Sequence, residues 1–432
     1  MIEFDRDDSE IVTTRLCRWS GFGRDSRPQR SARRGLVNHR SLALLALNFL
    51  AFVTLGLPDG LLGVAWPSLR ASFGLPLDAL APLLASFTGG YVVSSFAAGP
   101  VLDQWNVGKL LAASCLLTGL SLSGYAAATS WPIVIAAAGL GGIGAGAIDA
   151  GVNAYVATHH GPRMLNWMHA AYGIGAACGP MVMTSVLVSG RSWQCGYAIV
   201  AAGQLVLAIA FAASRSIWPP SARSDVRLAS GHPPIADTLG LATTWVGVAA
   251  FFSYTGLEAI AGVWAYSVLT SVRGLSMAHA GFGVSLYWTG LTVGRIVFGF
   301  VVDRASLATL LRGALLLVIV GAALICFSRS AYSAVLAFAL LGLGAGPIFP
   351  SFMSDTPRRV GESHATNAIG FQVAAAALGQ ALLPSAVGYL AQSYGLTIVA
   401  PVLLTAALVV ALLHETMALA AALPSARTVT SR

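Results

Sequence analysis

The chain carries twelve long runs of apolar residues joined by short polar connections. A helix needs about 20 mostly apolar residues to cross the hydrocarbon core of a bilayer. Runs of this kind predict membrane-spanning helices at residues 42–67, 77–101, 108–128, 131–157, 164–189, 193–214, 240–271, 278–302, 305–328, 331–354, 364–391 and 395–419. The pattern predicts an all-α polytopic membrane protein, in which a longer polar stretch separates spans 6 and 7.

The composition excludes a soluble globular protein. Charged residues make up 10% of the 432 residues and apolar residues 56%, whereas an ordinary globular domain is about 25% charged. So few charges could not cover the surface of a soluble chain of this length. The five cysteines are an odd number and form no CxxC pair, so we predict no metal site and no cofactor.

Motifs of intramembrane or nucleotide-dependent enzymes are missing from the sequence. It contains no HExxH, GxSxG or Walker A pattern. One GxGxxG pattern begins at Gly139, but it lies inside span 4 without a preceding strand, so helix packing explains its glycines. We therefore predict that the protein is not an enzyme. A sensor that keeps a transporter fold is an alternative, but it would need a long signalling domain.

The basic residues predict the orientation of the chain. With the N-terminus inside, the cytoplasmic segments hold twenty of the 25 Lys and Arg residues and the opposite side holds four. Because basic residues collect in cytoplasmic loops, both termini are predicted to be cytoplasmic, in a multi-pass protein of the cell (inner) membrane. The predicted organisation is a disordered tail at 1–41, a six-helix half at 42–214, a cytoplasmic loop at 215–239, a second six-helix half at 240–419 and a tail at 420–432.

The two halves repeat one another in sequence. Gly99-Pro-Val-Leu-Asp103 at the end of span 2 matches Gly299-Phe-Val-Val-Asp303 at the end of span 8. Three further matches follow in order, at offsets of 199 to 204 residues. They pair Asp59 with Glu258, the glycines 142, 144 and 146 with 342, 344 and 346, and Gly175 and Pro180 with Gly379 and Pro384. Two parallel six-helix repeats predict a central cavity between the halves.

The loop after span 2 carries a family resemblance. The segment Gly99-Pro-Val-Leu-Asp103-Gln-Trp-Asn-Val-Gly108-Lys109 resembles the signature between the second and third helices of the major facilitator superfamily. Gln104 stands where that signature usually has a basic residue, whereas the second half keeps the pair Asp303-Arg304. The resemblance implies the major facilitator fold of twelve helices.

Further segments are similar to the fucose–proton symporter branch of that superfamily and its relatives. These segments are Gly56-Leu-Pro-Asp59-Gly-Leu-Leu-Gly63, Gly144-Ala-Gly-Ala-Ile-Asp149-Ala-Gly-Val-Asn153, Leu165-Asn-Trp-Met-His169-Ala-Ala-Tyr-Gly173, Tyr254-Thr-Gly-Leu-Glu258, and Tyr287-Trp288 before Gly294-Arg295. The likeness extends over about 42–419. It implies that acids on the first and fourth helices handle protons and substrate, which here are Asp59 and Asp149.

Four ionisable side chains lie well inside the predicted spans: Asp59, Asp149, Glu258 and Arg295. A charge at the bilayer centre costs about 2.5–3.5 kcal/mol on insertion scales, so each needs a reason to be there. We take the three acids as candidates for proton coupling. The alternative is structural: Asp59 or Asp149 would pair with Arg295, or would cap a helix that Pro58 disturbs.

Glu258 and Arg295 each have more than one interpretation. Glu258 has no basic residue nearby on its own helix, so it could be a second protonation site, a substrate acceptor or a buried neutral carboxyl. Arg295 lies near the cytoplasmic end of span 8, where an ion pair that locks the halves is the main interpretation and substrate binding the alternative. The predicted cytoplasmic gate comprises Asp103, Lys109, Arg295, Asp303 and Arg304; by resemblance, the two aspartates engage a neighbouring helix N-terminus.

Polar and aromatic residues of the same helices are candidates for a substrate cavity. They are Asn153, Asn166, His169 and Tyr172 on spans 4 and 5, and Tyr254, Trp264, Tyr287 and Trp288 on spans 7 and 8. Aromatic faces with a few hydrogen-bonding groups suit a sugar or an amphipathic drug. Packing and interfacial roles are the alternatives for each, and for His169 a satisfied interfacial histidine is favoured over a proton relay.

The sequence therefore predicts a secondary active transporter that works by alternating access. Because no nucleotide-binding motif is present, the energy would come from a gradient, with protons as the coupling ion. The predicted partners are a small-molecule substrate, such as a sugar, and the lipid bilayer, with a monomer as the working unit and no nucleic acid. A drug–proton antiporter of the same fold is the alternative.

Overall fold

The computed structural model describes residues 39–160, 162–218 and 233–422, and this part of the chain is helical without a strand. The helices are α1 (His39–Ser72), α2 (Leu80–Leu102), α3 (Val107–Ala126), α4 (Trp131–His159), α5 (Pro162–Val188), α6 (Trp193–Ser214), α7 (Ile235–Leu239), α8 (Ala242–Ser267), α9 (Met277–Val301), α10 (Leu307–Phe327), α11 (Ala331–Ala345), α12 (Ile348–Val360), α13 (Glu362–Tyr394) and α14 (Val399–Ala422). Helix α8 continues as a π-helical turn over Val268–Val272, and short 3-10 turns precede α2 and α14.

Twelve helical stretches in the described residues are long and apolar enough to cross a membrane. They coincide with the twelve predicted spans, which confirms the fold class. The tenth stretch runs over Ala331–Val360 and so extends past its predicted end at residue 354. The last turn of α12 carries Arg358 and Arg359, and a prediction from apolar residues alone excludes such a turn. Large apolar side chains such as Val206, Ile209 and Phe327 are exposed around the bundle, as expected for a surface that faces lipid.

The two halves show the same helix packing. In the first half α1 packs against α5, and α2 and α3 pack against α4; in the second half α8 packs against α13, and α9 and α10 pack against α11. Glycines make the equivalent contacts possible. A Cβ atom on Gly142 would lie 1.9 Å from the carbonyl oxygen of Phe87, and one on Gly342 would lie 2.1 Å from that of Tyr287. The 200-residue sequence repeat is therefore also a repeat of backbone-to-backbone contacts.

The ends of α1 and α14 modify the predicted tails. Residues 39–41 and 420–422, which the sequence assigns to tails, belong to these helices; residues 1–38 and 423–432 lie outside the described residues. In the central loop, α7 docks on α13, where the Thr238 hydroxyl lies 2.9 Å from His364 Nδ1 and Asn367 Nδ2 donates to the carbonyl of Pro233 (3.2 Å). Residues 219–232 lie outside the described part.

Contacts between the halves leave one face of the bundle open. With twelve spans, both described ends of the chain lie at one face, which we call the terminal face. The halves meet near the other face, where the Leu77 amide donates to Gln392 Oε1 (3.0 Å) and Gly63 lies against the Gly262 carbonyl, and at mid-depth, where the Ser285 hydroxyl donates to the Ala177 carbonyl (2.6 Å). Helices α4 and α12, which both end at the terminal face, do not pack extensively against each other. The space between the halves therefore opens to the terminal face.

Candidate functional site

Asp59 is held by a neighbouring helix of its own half. The Tyr172 hydroxyl on α5 donates to Asp59 Oδ2. The two helices come this close because Gly56 and Gly60 present no side chain: a Cβ on either would lie 2.1 Å from the Tyr172 carbonyl oxygen or 2.3 Å from that of Ala176. The structure thus pairs Asp59 with a phenol and not with Arg295, while Pro58 leaves α1 continuous.

Asp149 has a hydrogen-bond donor on each carboxylate oxygen. The Tyr91 hydroxyl on α2 donates to Oδ2 (2.7 Å), and Asn153 Nδ2, one turn further along α4, donates to Oδ1 (3.0 Å). Gly146 allows this approach, because a Cβ there would lie 2.4 Å from the Tyr91 carbonyl oxygen. Tyr91 was not among the candidates from the sequence. Its position after Gly89-Gly90 in a span that packs on the glycines of span 4 was the signal that could have indicated it.

Glu258 lies at the centre of a polar group in the second half. Its Oε2 atom lies 3.9 Å from Arg295 Nη2 on α9 and accepts a hydrogen bond from the Tyr254 hydroxyl (2.5 Å). Arg295 Nε donates to the Gly346 carbonyl (3.1 Å), and the Tyr254 hydroxyl also lies 2.8 Å from the Ala345 carbonyl oxygen. The side chains of Glu258 and Arg295 are 18% and 20% exposed, so solvent reaches a pair that lies at membrane depth.

Arg295 is placed differently from the predicted gate. Its ion-pair partner, Glu258, belongs to the same half, so in this conformation the pair does not lock the two halves. Of the other gate candidates, Asp103 lies in the turn between α2 and α3, Lys109 in the first turn of α3, and Asp303 and Arg304 in the turn between α9 and α10. All four side chains are exposed. None of these four forms an ion pair with another described residue. The predicted gate thus separates into Arg295, which joins the acid site, and four residues at the terminal face.

The acids of the two halves lie close enough to influence one another. Asp59 interacts electrostatically with Glu258 across the interface, and Tyr172 interacts with both and with Arg295. His169, whose ring packs edge-on against Phe52 (centroids 5.3 Å apart), interacts with Asp149 and Arg295. The three acids, Arg295 and His169 therefore form one polar region between the halves.

The remaining cavity candidates divide into two groups. Asn153 and Tyr172 form the first group and contact the acids directly, as described above. The second group is aromatic and buried, and in it Trp288 lies beside Tyr287 (ring centroids 5.1 Å apart). Trp264 and Tyr287 are fully buried and bond to backbone carbonyls instead, Trp264 Nε1 to Pro384 (3.1 Å) and the Tyr287 hydroxyl to Glu258 (2.8 Å). Neither reaches solvent, so in this conformation neither lines the cavity. The side chain of Asn166 lies outside the described residues.

We expect Trp264→Phe to lower stability and to leave the acids unaffected. The change leaves the Pro384 carbonyl without its indole donor and a gap where the indole packs between α8 and α13, which together cost about 1–3 kcal/mol. Thermal unfolding of the purified protein in detergent measures the effect. Trp105→Phe is the matched control, because the Trp105 side chain is exposed and its indole forms no hydrogen bond with the described residues. Equal unfolding temperatures for the two variants would contradict the structural role.

The part of the chain that the structure describes contains no group of side chains arranged as metal ligands. No three His, Cys, Asp or Glu side chains come together there in a way that could hold a metal ion. What the arrangement offers instead is proton exchange: three carboxyl groups, each within reach of a hydroxyl or guanidinium partner, in a region that solvent enters from one face.

Comparison with known proteins agrees with this architecture. The chain is 25% identical over 405 residues to Bypass of stop codon protein 6 of Saccharomyces cerevisiae, a match that covers 83% of this chain and 80% of the yeast protein. Among solved structures, a bacterial homologue of the human lysosomal transporter Spinster superposes with a TM-score of 0.71 at 13% identity, covering 90% of this chain and 98% of that one. A D-xylose-proton symporter gives 0.68 at 16% (86% and 97%), and FucP in its outward conformation gives 0.60 at 15% (88% and 99%).

The sequence profile of the Major Facilitator Superfamily matches residues 48–246 and 246–428, which correspond to the two halves of the structure. This match extends over nearly all of the twelve spans. The family consists of membrane transporters and not of enzymes. The chain therefore belongs to the Major Facilitator Superfamily and is a multi-pass membrane transporter of that family.

Proposed function

We propose that the protein is a secondary transporter that couples the movement of a small polar molecule, with sugars as the favoured class, to the movement of protons. The observation that carries the proposal is the placement of Asp59, Asp149 and Glu258. All three lie at membrane depth between the halves, and each is bonded to a tyrosine that can donate to the ionised form. A buried carboxyl of this kind changes its proton affinity when its surroundings change.

The open terminal face supports alternating access. We propose that this face is cytoplasmic, because most of the basic residues lie on that side. In the state described here, protons and substrate would exchange with the cytoplasm while contacts such as Leu77–Gln392 close the other side. Rocking of the halves about the mid-depth contacts between α5 and α9 would then close the terminal face and expose the acids to the other side.

Two lines of support favour a sugar. The groups beside the acids are hydroxyls and an amide, of Tyr91, Tyr172 and Asn153, which exchange hydrogen bonds readily with sugar hydroxyls. A solved symporter with the same fold is the D-xylose-proton symporter, and the sequence resembles the fucose–proton branch. No feature of the described residues favours the drug antiporter over this proposal.

The proposal is tested by reconstituting the protein in liposomes that contain a pH-sensitive dye. We expect at least one monosaccharide from a labelled panel that includes L-fucose and D-xylose to enter the vesicles and to acidify the lumen. An inward proton gradient should accelerate this uptake. Uptake that does not respond to the gradient and does not change the luminal pH would overturn proton coupling. Proton-driven movement of a hydrophobic cation, with none of the sugars, would favour the antiporter instead.

A further inference from the structure

Span 10 is broken where span 4, its repeat partner, is continuous. Helix α11 ends at Ala345 and α12 begins at Ile348, whereas α4 runs without interruption through the equivalent positions 145–148. At the 200-residue offset, Pro347 and Pro350 replace Ala147 and Ala150. A proline has no N–H and cannot continue the ladder of helix hydrogen bonds, so these two substitutions account for the break.

The break leaves carbonyl groups that other helices satisfy. Pro350 cannot supply the N–H that would normally bond to the Gly346 carbonyl, and the last carbonyls of α11 lack partners within their own helix. The donors come from outside: Arg295 Nε on α9 reaches the Gly346 oxygen (3.1 Å), and the Tyr254 hydroxyl on α8 reaches the Ala345 oxygen (2.8 Å). Such outside donors are what a broken helix in a membrane requires.

Both donors also contact Glu258. Oxygen Oε2 of Glu258 lies 2.5 Å from the Tyr254 hydroxyl oxygen and 3.9 Å from Arg295 Nη2. The titratable and charged groups that interact with Glu258 among the described residues are Arg295 and Tyr287 from α9, Asp59 from α1, Tyr172 from α5 and Tyr254 from its own helix. Of these, only Arg295 and Tyr254 also bond to the break.

The number of hydrogens decides where the Tyr254 hydroxyl points. A phenol has one hydrogen, yet this oxygen lies within hydrogen-bond distance of two acceptors. If Glu258 is ionised, the hydrogen goes to the carboxylate, and the Ala345 carbonyl receives none from Tyr254. If Glu258 is protonated, the carboxyl donates to the Tyr254 oxygen, and the phenol donates to Ala345. Ionisation also attracts the Arg295 guanidinium toward Glu258 and away from Gly346.

We propose that Glu258 is a proton site whose ionisation loosens the break in span 10 and whose protonation tightens it, with Tyr254 and Arg295 as the positioning residues. This deepens the proposed function, since it rests on Glu258 as one of the proton sites and assigns it a moving element. The first half has no equivalent device, because α4 is unbroken and Asp149 lies on α4 itself, at the position of Phe349 in the second half.

Hydrogen–deuterium exchange of the purified protein in nanodiscs, followed by mass spectrometry between about pH 4 and 9, tests the proposal. The quantity measured is the exchange rate of peptides covering 345–352 divided by that of peptides covering 314–324 of α10, which carry no ionisable side chain, in the same sample. Because the chemical rate changes equally for both, the ratio isolates the break. In the wild type we expect the ratio to rise about two- to tenfold as Glu258 ionises, which corresponds to the loss of one hydrogen bond.

Three variants sharpen the result. Glu258→Gln cannot ionise and should keep the low ratio at every pH, whereas Glu362→Gln, an exposed acid on α13, should behave as the wild type. Tyr254→Phe lacks the hydroxyl whose hydrogen moves between Glu258 and the Ala345 carbonyl. It should give a higher ratio at low pH and a smaller pH-dependent step. A flat wild-type ratio, or a pH-dependent step that persists in Glu258→Gln, would overturn the proposal, and both can be read without Tyr254→Phe if that variant does not fold.

The exchange measurement does not require transport, so its result is independent of the transport assay that tests the proposed function. A flat ratio together with proton-coupled sugar uptake would overturn only the link to span 10. A pH-dependent ratio in a protein that moves no protons would support the link and overturn the coupling.

Discussion

Replacing Asp149 with asparagine is expected to abolish substrate accumulation driven by a pH gradient while substrate exchange at equal pH continues. An amide at this position keeps a hydrogen-bonding group for Tyr91 and stays in place on α4 beside Asn153. It cannot release or take up a proton, so the carrier would move substrate without coupling. The expected loss of accumulation is at least about tenfold, which corresponds to about 1.4 kcal/mol of lost driving force.

The measurement compares two assays in the same proteoliposomes. Uptake against a concentration difference under an imposed pH gradient reports coupling, and counterflow of labelled substrate at equal pH reports binding and rocking. Asp237→Asn is the matched control, because Asp237 is an exposed acid on α7 and should leave both assays unchanged. Accumulation that persists in Asp149→Asn would remove this residue from the coupling mechanism, and loss of both assays together would assign it to substrate binding or folding instead.

Tyr91→Phe separates the contribution of the donor from that of the acid. Removal of the phenol hydrogen takes away one of the two bonds to Asp149 but leaves the carboxyl able to ionise. We therefore expect accumulation to persist with a pH dependence displaced toward higher pH, because the ionised form loses a stabilising donor. A pH profile that coincides with that of the wild type would show that the bond does not influence coupling.

The spans and the repeat could be predicted from the sequence because both depend only on the types of residue and their spacing along the chain. Apolar runs of membrane length identify the helices, and glycines that recur at a fixed offset indicate which helices approach closely. The break in span 10 was not predicted, because span 10 was identified as one apolar run at 331–354. Pro347 and Pro350 were its signal in the sequence, but a proline shows only that a bond is missing. Which side chain replaces that bond depends on neighbours far along the chain, such as Tyr254 and Arg295.

The partners of the acids show the same limit. Asp59, Asp149 and Glu258 stand out in the sequence because charge is rare in the spans. Their partners are tyrosines, of which Tyr172 and Tyr254 were named only as cavity candidates and Tyr91 was not named. The sequence does not show which tyrosine bonds to which acid. Arg295 was assigned to the gate by its place near the cytoplasmic end of span 8, yet its contacts are Glu258 on α8 and the Gly346 carbonyl after α11. It therefore belongs to the acid site and not to the gate.

Gly90→Ala is expected to destabilise the protein strongly, whereas Gly89→Ala, one residue earlier on the same helix, is expected to have no such effect. A Cβ atom at position 90 would lie 2.2 Å from the carbonyl oxygen of Gly139, which is backbone and cannot rotate away. The helices α2 and α4 would have to separate, with a cost of about 1–3 kcal/mol or more for overpacking. At position 89 a Cβ meets no atom within 4 Å, and the higher helix propensity of alanine, about 1 kcal/mol, acts in the opposite direction.

The repeat makes this prediction stricter. Gly290, 200 residues after Gly90, lies on α9 with the carbonyl oxygen of Ala339 2.5 Å from where its Cβ would be, whereas Gly299 on the same helix meets nothing within 4 Å. Thermal unfolding in detergent should therefore lower the midpoint for Gly90→Ala and Gly290→Ala and leave it unchanged or raised for Gly89→Ala and Gly299→Ala. Since the propensity term is the same in all four variants, their ranking measures backbone contact alone. Similar midpoints for the four variants would mean that close approach of the helix backbones at these positions does not explain why the chain is rich in glycine.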